Sequence, residues 1–339
     1  MLDTLVFSGG GIGGISFIGC IKFLHEKKML SNIKKFIGTS SGAIIAALLS
    51  VGYTYEELYQ LSTQINLHLF KDINPESVLS FFEDFGIDTG KNVEKIIEIF
   101  IKFKTKKNLF TFSDLKELNK ELIVSGVCIN NQKICYFNYE NYPNMPISEA
   151  IRISTSVPIL FKPYIIDDNL YIDGGLLDNF PIHLANNSQD NQLSNKINET
   201  NLYLSELKNT VKNFLQQDTS PTVDSEQIDN FNSCIDNLSN AIDALNLKKK
   251  NKNVLGFSIS TAHNRTKIST IDSYIRSMIC STVSEIESIR NREYKENTVE
   301  VKIRSFAFDF DISPEIKNEL IQDGYNSTKL FFENSTIFS

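Results

Sequence analysis

Ser40 stands in Gly38-Thr39-Ser40-Ser41-Gly42, a G-x-S-x-G run that places a serine on a sharp strand-to-helix turn with its hydroxyl pushed outward. Upstream, GGGIGG at residues 9–14 lies between an apolar strand (Leu2, Leu5 to Phe7) and a helix. Its backbone N–H groups, unencumbered by side chains, can face a developing negative charge. A nucleophile and an anion cradle are the two halves of an acyl-transfer site. The serine also needs a base, and the sequence offers two routes. Asp173 follows a short apolar strand and precedes Gly174 and Gly175, so its carboxylate can protrude and act on Ser40 directly as a dyad. Alternatively His183 or His263 completes a Ser-His-Asp triad, and the order Ser40, Asp173, His263 is that of the α/β-hydrolases. The position of the elbow favours the dyad. It closes only the second strand, whereas in an α/β-hydrolase the elbow follows several.

Elements that position these residues follow from the apolar patterning. Residues 2–52 read as strand, glycine loop, helix (15–28), strand (33–37), elbow and helix (43–51), the start of a parallel α/β sheet with helical cover. From 54 to 122 the pattern is mostly helical, with Leu58, Leu61 and Ile65 at helix spacing and FFEDFGIDTG at 81–90 as a loop. Strands return at 122–129 and 133–138, a helix opens at Pro146 to Ser148, and a strand pair brackets Asp167 and Asp168. Composition then shifts to Asn, Ser, Gln and Asp over 186–253, where Leu204, Leu207, Val211 and Phe214, then Ile228, Phe231, Ile235, Leu238, Ile242 and Leu245, repeat at helix spacing. This predicts a polar helical hairpin inserted between two parts of a catalytic core, 1–185 and 254–339. In the second part a strand at 254–260, a long helix at 269–293, a strand at 298–304 and a closing helix at 313–333 are expected.

The 339 residues, 41% apolar and 22% charged, suit a globular enzyme, and a net charge of −7 argues against nucleic acid as the main partner. The five cysteines are scattered, with no C-x-x-C pair, which suggests neither a disulfide framework nor a zinc site. With no apolar run long enough to span a bilayer and no leader-like start, the expected location is cytoplasmic, with any lipid substrate met at the membrane surface.

The chain resembles the patatin-like phospholipase family, motif by motif. The G-x-G-x-x-G loop stands at Gly9 to Gly14, the G-x-S-x-G elbow at Gly38 to Gly42 and the D-G-A/G motif at Asp173 to Gly175. TSVPILFKP before the aspartate and DNFPI after it are similar to the family's flanking segments. The resemblance covers residues 1–183 and resumes at 254–333; the polar insertion lies outside it. It implies a three-layer fold with a mostly parallel sheet and helices on both faces, and a hydrolase of phospholipid or related acyl esters. Ser40 is then the nucleophile, Asp173 its base, and Gly9, Gly10 and Gly11 the oxyanion donors, with no metal or cofactor required. It also implies peripheral association with membranes, and residues 186–253 are the place for a protein activator or partner. Many members carry an acidic residue before the glycines and a basic one at the fifth loop position, where this chain has Ser8 and Gly13.

Two other classes compete with this reading. A dinucleotide fingerprint accounts for Gly9, Gly11 and Gly14, but the ribose-binding acid expected at the end of the second strand is absent, the strand ending Lys34-Lys35-Phe36-Ile37-Gly38. A catalytically silent binding protein has no need of serine, aspartate and glycine loop together.

Overall fold

The computed structural model describes residues 2–73, 80–185, 253–261, 277, 281, 292–303, 312–335 and 338. Compact packing divides the chain into Met1–Ala185 with Lys252–Ser339, and Asn186–Asn251. The hairpin expected at 186–253, and nearly all of the helix expected at 269–293, lie outside the described residues.

Strand β1 (Thr4–Phe7) is buried at every position, as a strand must be when both faces of a parallel sheet are covered. Successive residues point to opposite faces. Leu5, Phe7 and Phe36 therefore enter one apolar cluster, while Val6, Ile37 and Ile123 enter another with Phe180 and Ile182. Phe7 packs edge-on to Phe17 and stacks on Phe257, with ring centroids 5.3 and 5.4 Å away. A single 3-10 turn (Gly11–Ile15) leads to helix α1 (Ser16–Glu26), and strand β2 (Lys35–Gly38) to helix α2 (Ser41–Ser50). Helix α2 reads SGAIIAALLS, apolar on nearly every side, and is accordingly buried.

The segment expected to be mostly helical supplies α3 (Tyr55–Gln64), entered through a Thr54–Glu57 capping box, and the helices Lys91–Thr105 and Phe112–Glu117. FFEDFGIDTG is more ordered than the expected loop. It holds one helical turn (Phe81–Asp84) and a short strand β3 (Gly86–Asp88). Strands β4 (Glu121–Cys128) and β5 (Lys133–Phe137) form the expected pair, followed by the helix Ile147–Ser154 and strand β6 (Ile159–Phe161), which pairs with β3. Strands β7 (Tyr164–Ile166) and β8 (Asn169–Asp173) turn back on each other through Asp167 and Asp168. Both turn residues have positive φ, 47° and 61°, the sign that a tight type I′ hairpin requires. Strands β9 (Val254–Thr261) and β10 (Thr298–Ile303) extend the sheet beyond β1, and the order is β10-β9-β1-β2-β4-β8-β7, parallel from β10 to β4. The closing helix Pro314–Asn334, capped by Ser313, lies on α1 so closely that a Cβ added at Gly324 would sit 1.8 Å from the Ser16 carbonyl.

The register of β4 sets the site. Its first half pairs with β2, Gly38 opposite Val124, and its second half with β8, Asp173 opposite Gly126. Strand β5 occupies one edge of β4 from Val124 to Cys128, so β2 and β8 share the other edge end to end. The tips of β2 and β8 thus meet, with only Ser125 of β4 between the paired positions.

Candidate active site

At the tip of β2 the chain turns sharply. Ser40 has φ 52° and ψ −125°, a strained backbone for a residue with a side chain. Gly38 and Gly42 make the turn possible. A Cβ at Gly38 would lie 2.6 Å from the backbone of Ala43, and one at Gly42 would lie 2.4 Å from the Ser8 carbonyl. The strain is held by side chains from other elements. The Ser40 N–H donates to Ser154 Oγ at 2.8 Å, and Thr39 Oγ1 donates to the Asp178 carbonyl at 3.1 Å while sharing a 2.6 Å hydrogen bond with Ser125 Oγ.

Asp173 ends β8, with 5% of its surface exposed. Its own N–H donates to the Ser156 carbonyl at 3.0 Å, and its Oδ1 accepts the Gly175 N–H at 2.7 Å. Gly174 packs on Ser125 so tightly that an added Cβ would fall 2.1 Å from Ser125 Oγ. Ser125 therefore seats both the elbow and the D-G-G turn. Burial pushes the Asp173 carboxyl up to about 7, against a partial offset from hydrogen bonds with the Ser40 hydroxyl and the Gly175 N–H. The Ser40 hydroxyl is near enough to the Asp173 carboxyl to lower its proton affinity, and the carboxyl is poised near neutrality.

The glycine loop differs in one respect from expectation. The Gly9 N–H donates to the Asn179 carbonyl at 3.0 Å, so its amide is already committed and Gly9 is a fixed anchor, against the expectation that it faces an oxyanion. A Cβ at Gly9 would strike Asn179 Oδ1 at 2.2 Å, which accounts for the glycine. Gly10 accepts the Gly13 N–H at its carbonyl, and among the described residues none accepts the N–H of Gly10 or Gly11. These two amides, at the start of the 3-10 turn, are the donors the loop presents. Ser8 and Gly13 also find a physical reason. Ser8 Oγ accepts the Ile259 N–H at 3.0 Å and donates to the Gly9 carbonyl, tying the loop to β9. A Cβ at Gly13 would meet Ile303 Cδ1 at 2.4 Å, so apolar groups of β9 and β10 fill the space beside this position.

Ser40 and Gly11 belong to the lining of an apolar cavity of about 190 Å³. Ile44 and Leu48 of α2, Leu58 and Leu61 of α3, and Val93 and Phe100 of the helix Lys91–Thr105 make its walls.

His183 is engaged elsewhere: its Nε2 lies 3.7 Å from Asp178 Oδ2 and 3.5 Å from the Tyr136 hydroxyl, which itself donates to Asp178 at 2.6 Å. His263 lies outside the described residues. Sequence reasoning missed Ser154, Ser125, Asn179 and Arg152. A lone serine carries no local signature, and Asn179 was visible only as part of DNFPI. Ser154→Ala should cost about 1 kcal/mol of stability, the worth of one buried hydrogen bond. It should also lower turnover on the order of tenfold by loosening the elbow; urea melts and kcat on a soluble ester measure the two.

A family model described as patatin-like phospholipase matches residues 5–186. The chain belongs to the patatin-like phospholipase family. It is 37% identical over 186 residues to the probable lipid hydrolase 463L of Invertebrate iridescent virus 6, covering 54% of this chain and 62% of that protein. It is 29% identical over 176 residues to the triacylglycerol lipase ptl3 of Schizosaccharomyces pombe, covering 47% of this chain and 33% of the lipase. The chain thus spans about six-tenths of the viral relative's length and a third of the yeast one's. Among solved structures it is similar to VipD from Legionella pneumophila, with a TM-score of 0.50 and 16% identity over 98% of this chain and 67% of that one. That likeness concerns the fold: a patatin-like mixed α/β sheet with helices on both faces.

Proposed function

We propose that this patatin-like chain is a lipid acyl hydrolase that cleaves carboxylic esters of phospholipids or related lipids through Ser40 and Asp173. The observation that carries the reading is a serine of strained backbone that lines an apolar cavity of about 190 Å³ and whose hydroxyl acts on a buried carboxyl. In this mechanism the acyl chain enters the cavity and the ester carbonyl oxygen points at the Gly10 and Gly11 amides. Asp173 takes the Ser40 proton as Oγ attacks the carbonyl carbon, and the negative oxygen is held by the two N–H groups. The tetrahedral adduct collapses, the alcohol or lysolipid leaves with the proton from Asp173, and the acyl group remains on Ser40. Water, deprotonated by the same carboxylate, attacks the acyl carbon; the bond to Ser40 Oγ breaks, Asp173 returns the proton to Oγ, and the fatty acid leaves. Oxyanion donation of this kind is worth about 3 kcal/mol per donor.

Membrane association and a protein activator acting through residues 186–253 belong to the same proposal, as does the division into core (1–185 and 254–339) and insertion. No helix among the described residues is long and apolar enough to cross a membrane. The test is an activity-based fluorophosphonate, which phosphonylates an activated serine, followed by a panel of phospholipid and glyceride substrates. Labelling of the unaltered chain and none of Ser40→Ala is expected. An unlabelled, folded chain would remove the hydrolase reading, and loss of labelling in His183→Ala would replace the dyad by a triad.

A further inference from the structure

The helix Lys91–Thr105 has two contrasting faces. Val93 and Phe100 line the apolar cavity, and Val93, Ile97 and Ile101 are buried. On the opposite side Lys91, Lys95, Glu98, Ile99, Lys102 and Phe103 are exposed, and Lys106 follows directly after the helix. These positions recur at intervals of three and four, so they form one stripe along the helix. Two large apolar side chains stand in the stripe, Ile99 at 59% and Phe103 at 64% exposure. Soluble surfaces place lone apolar residues freely, but a pair ringed by cations is a different pattern.

The charge is as informative as the apolar pair. The whole chain carries a net charge of −7, yet this stripe holds four lysines against Glu98 alone. The basic groups that are tied to acids lie off it: Lys104 pairs with Glu57 at 2.6 Å, and Lys107 pairs with Asp114. Lys106 donates to the Phe103 carbonyl at 2.7 Å and holds its ammonium 4.6 Å from the Phe103 ring centroid, and both side chains are exposed.

We infer that this stripe is the surface by which the protein docks on an anionic phospholipid bilayer, with Phe103 and Ile99 entering the interface and Lys95, Lys102 and Lys106 pairing with lipid phosphates. The inference builds on the proposed lipid-hydrolase function but is read by binding. Docking through this face would set one wall of the acyl cavity directly against the lipid, since a single helix carries both.

The experiment uses the full chain and two kinds of sedimentable vesicle, phosphatidylcholine alone and equimolar phosphatidylcholine with phosphatidylserine. Binding should favour the anionic vesicle and weaken with added salt. Lys95→Gln/Lys102→Gln/Lys106→Gln should lose on the order of 100-fold in partition to anionic vesicles, about fivefold for each lysine at the surface. Ile99→Ser/Phe103→Ser should lose on the order of 100-fold as well, through apolar area no longer buried in the interface. All these residues are exposed, so both variants should fold, and both should retain full turnover of a water-soluble short-chain ester. Unchanged vesicle binding in both variants would overturn the inference. Equal binding of the unaltered chain to neutral vesicles, or no binding to either kind, would also overturn it. So would a vesicle-free dimer that Ile99→Ser/Phe103→Ser dissociates, since the face would then serve self-association. Failure of the hydrolase reading has its own sign: an unaltered chain that binds anionic vesicles yet hydrolyses no soluble ester.

Discussion

Asp173→Asn is expected to lower kcat by about four orders of magnitude while yielding a chain that is more stable than the unaltered one above pH 7. The activity loss follows from chemistry: an amide of the same shape still accepts the Gly175 N–H, but it cannot take the proton of Ser40. The stability gain follows from burial. Removing water raises the carboxyl from its ordinary 3.8 to about 7 in the fold. Below 3.8 the group is neutral both folded and unfolded, and burial costs nothing. As the pH climbs the unfolded chain ionises first, so stability is lost until the folded group ionises too, near 7. Above that the ionised carboxylate costs the fold roughly 4 kcal/mol, since each tenfold gain in proton affinity on folding corresponds to about 1.4 kcal/mol. Thermal melts of the two chains should therefore coincide at acid pH and separate at pH 8, with Asp173→Asn the more resistant. The rate of the unaltered chain should rise through pH 7 to a plateau as the base is set free. Coincident melts at both pH values, or a full-rate Asp173→Asn chain, would remove the assignment.

The largest loss of stability is expected from Arg152→Met, about 3 to 5 kcal/mol in urea melts. Arg152 is 2% exposed. Its Nε and Nη2 donate to the Thr89 carbonyl at 3.2 and 2.7 Å, Nη2 also to the Lys162 carbonyl at 2.8 Å, and Nη1 to Ser156 Oγ. The guanidinium lies over the Phe161 ring and in the field of Asp88 and Glu94, which offsets part of the cost that burial imposes on its charge. Methionine fills the volume and leaves the carbonyls without donors. Lysine keeps the charge but not the fork, so Arg152→Lys should recover less than half of the loss. Because the Ser156 carbonyl receives the Asp173 N–H, kcat should fall together with stability. An Arg152→Met chain within about 1 kcal/mol of the unaltered one would show that the fork is dispensable.

What could be read in advance was what is local. The elbow at Ser40, the glycine loop and the D-G-G turn are short runs in which neighbouring residues enforce one backbone path. The strand pair around Asp167 and Asp168 and the helix opened by Ser313 and Pro314 are legible for the same reason. What escaped acts over long separations. Ser154 reaches Ser40 from another helix, Ser125 reaches Thr39 from another strand, and Arg152 joins residues before and after it in the chain. Each is a common residue type whose role depends on a partner that only folding supplies. Gly9 shows the reverse case: its type was legible, but the commitment of its N–H to Asn179 needed the tertiary contact. The strand β3 hid for want of pattern, since three residues are too few to display a period.

The end-to-end arrangement of β2 and β8 on a single edge of β4 makes that strand a ruler. The spacing between Gly38, at the base of the elbow, and Asp173 is measured along two steps of β4, about 7 Å of backbone rise, and not along the chain that joins them. Loops between the two motifs that touch neither Ser40 nor Asp173, nor the serines and arginine that hold them, are thus free to lengthen or shorten without moving either side chain. Strand β4 itself is intolerant. One residue inserted between Val124 and Gly126 would slide the aspartate by a step and turn its carboxylate to the wrong side of the sheet.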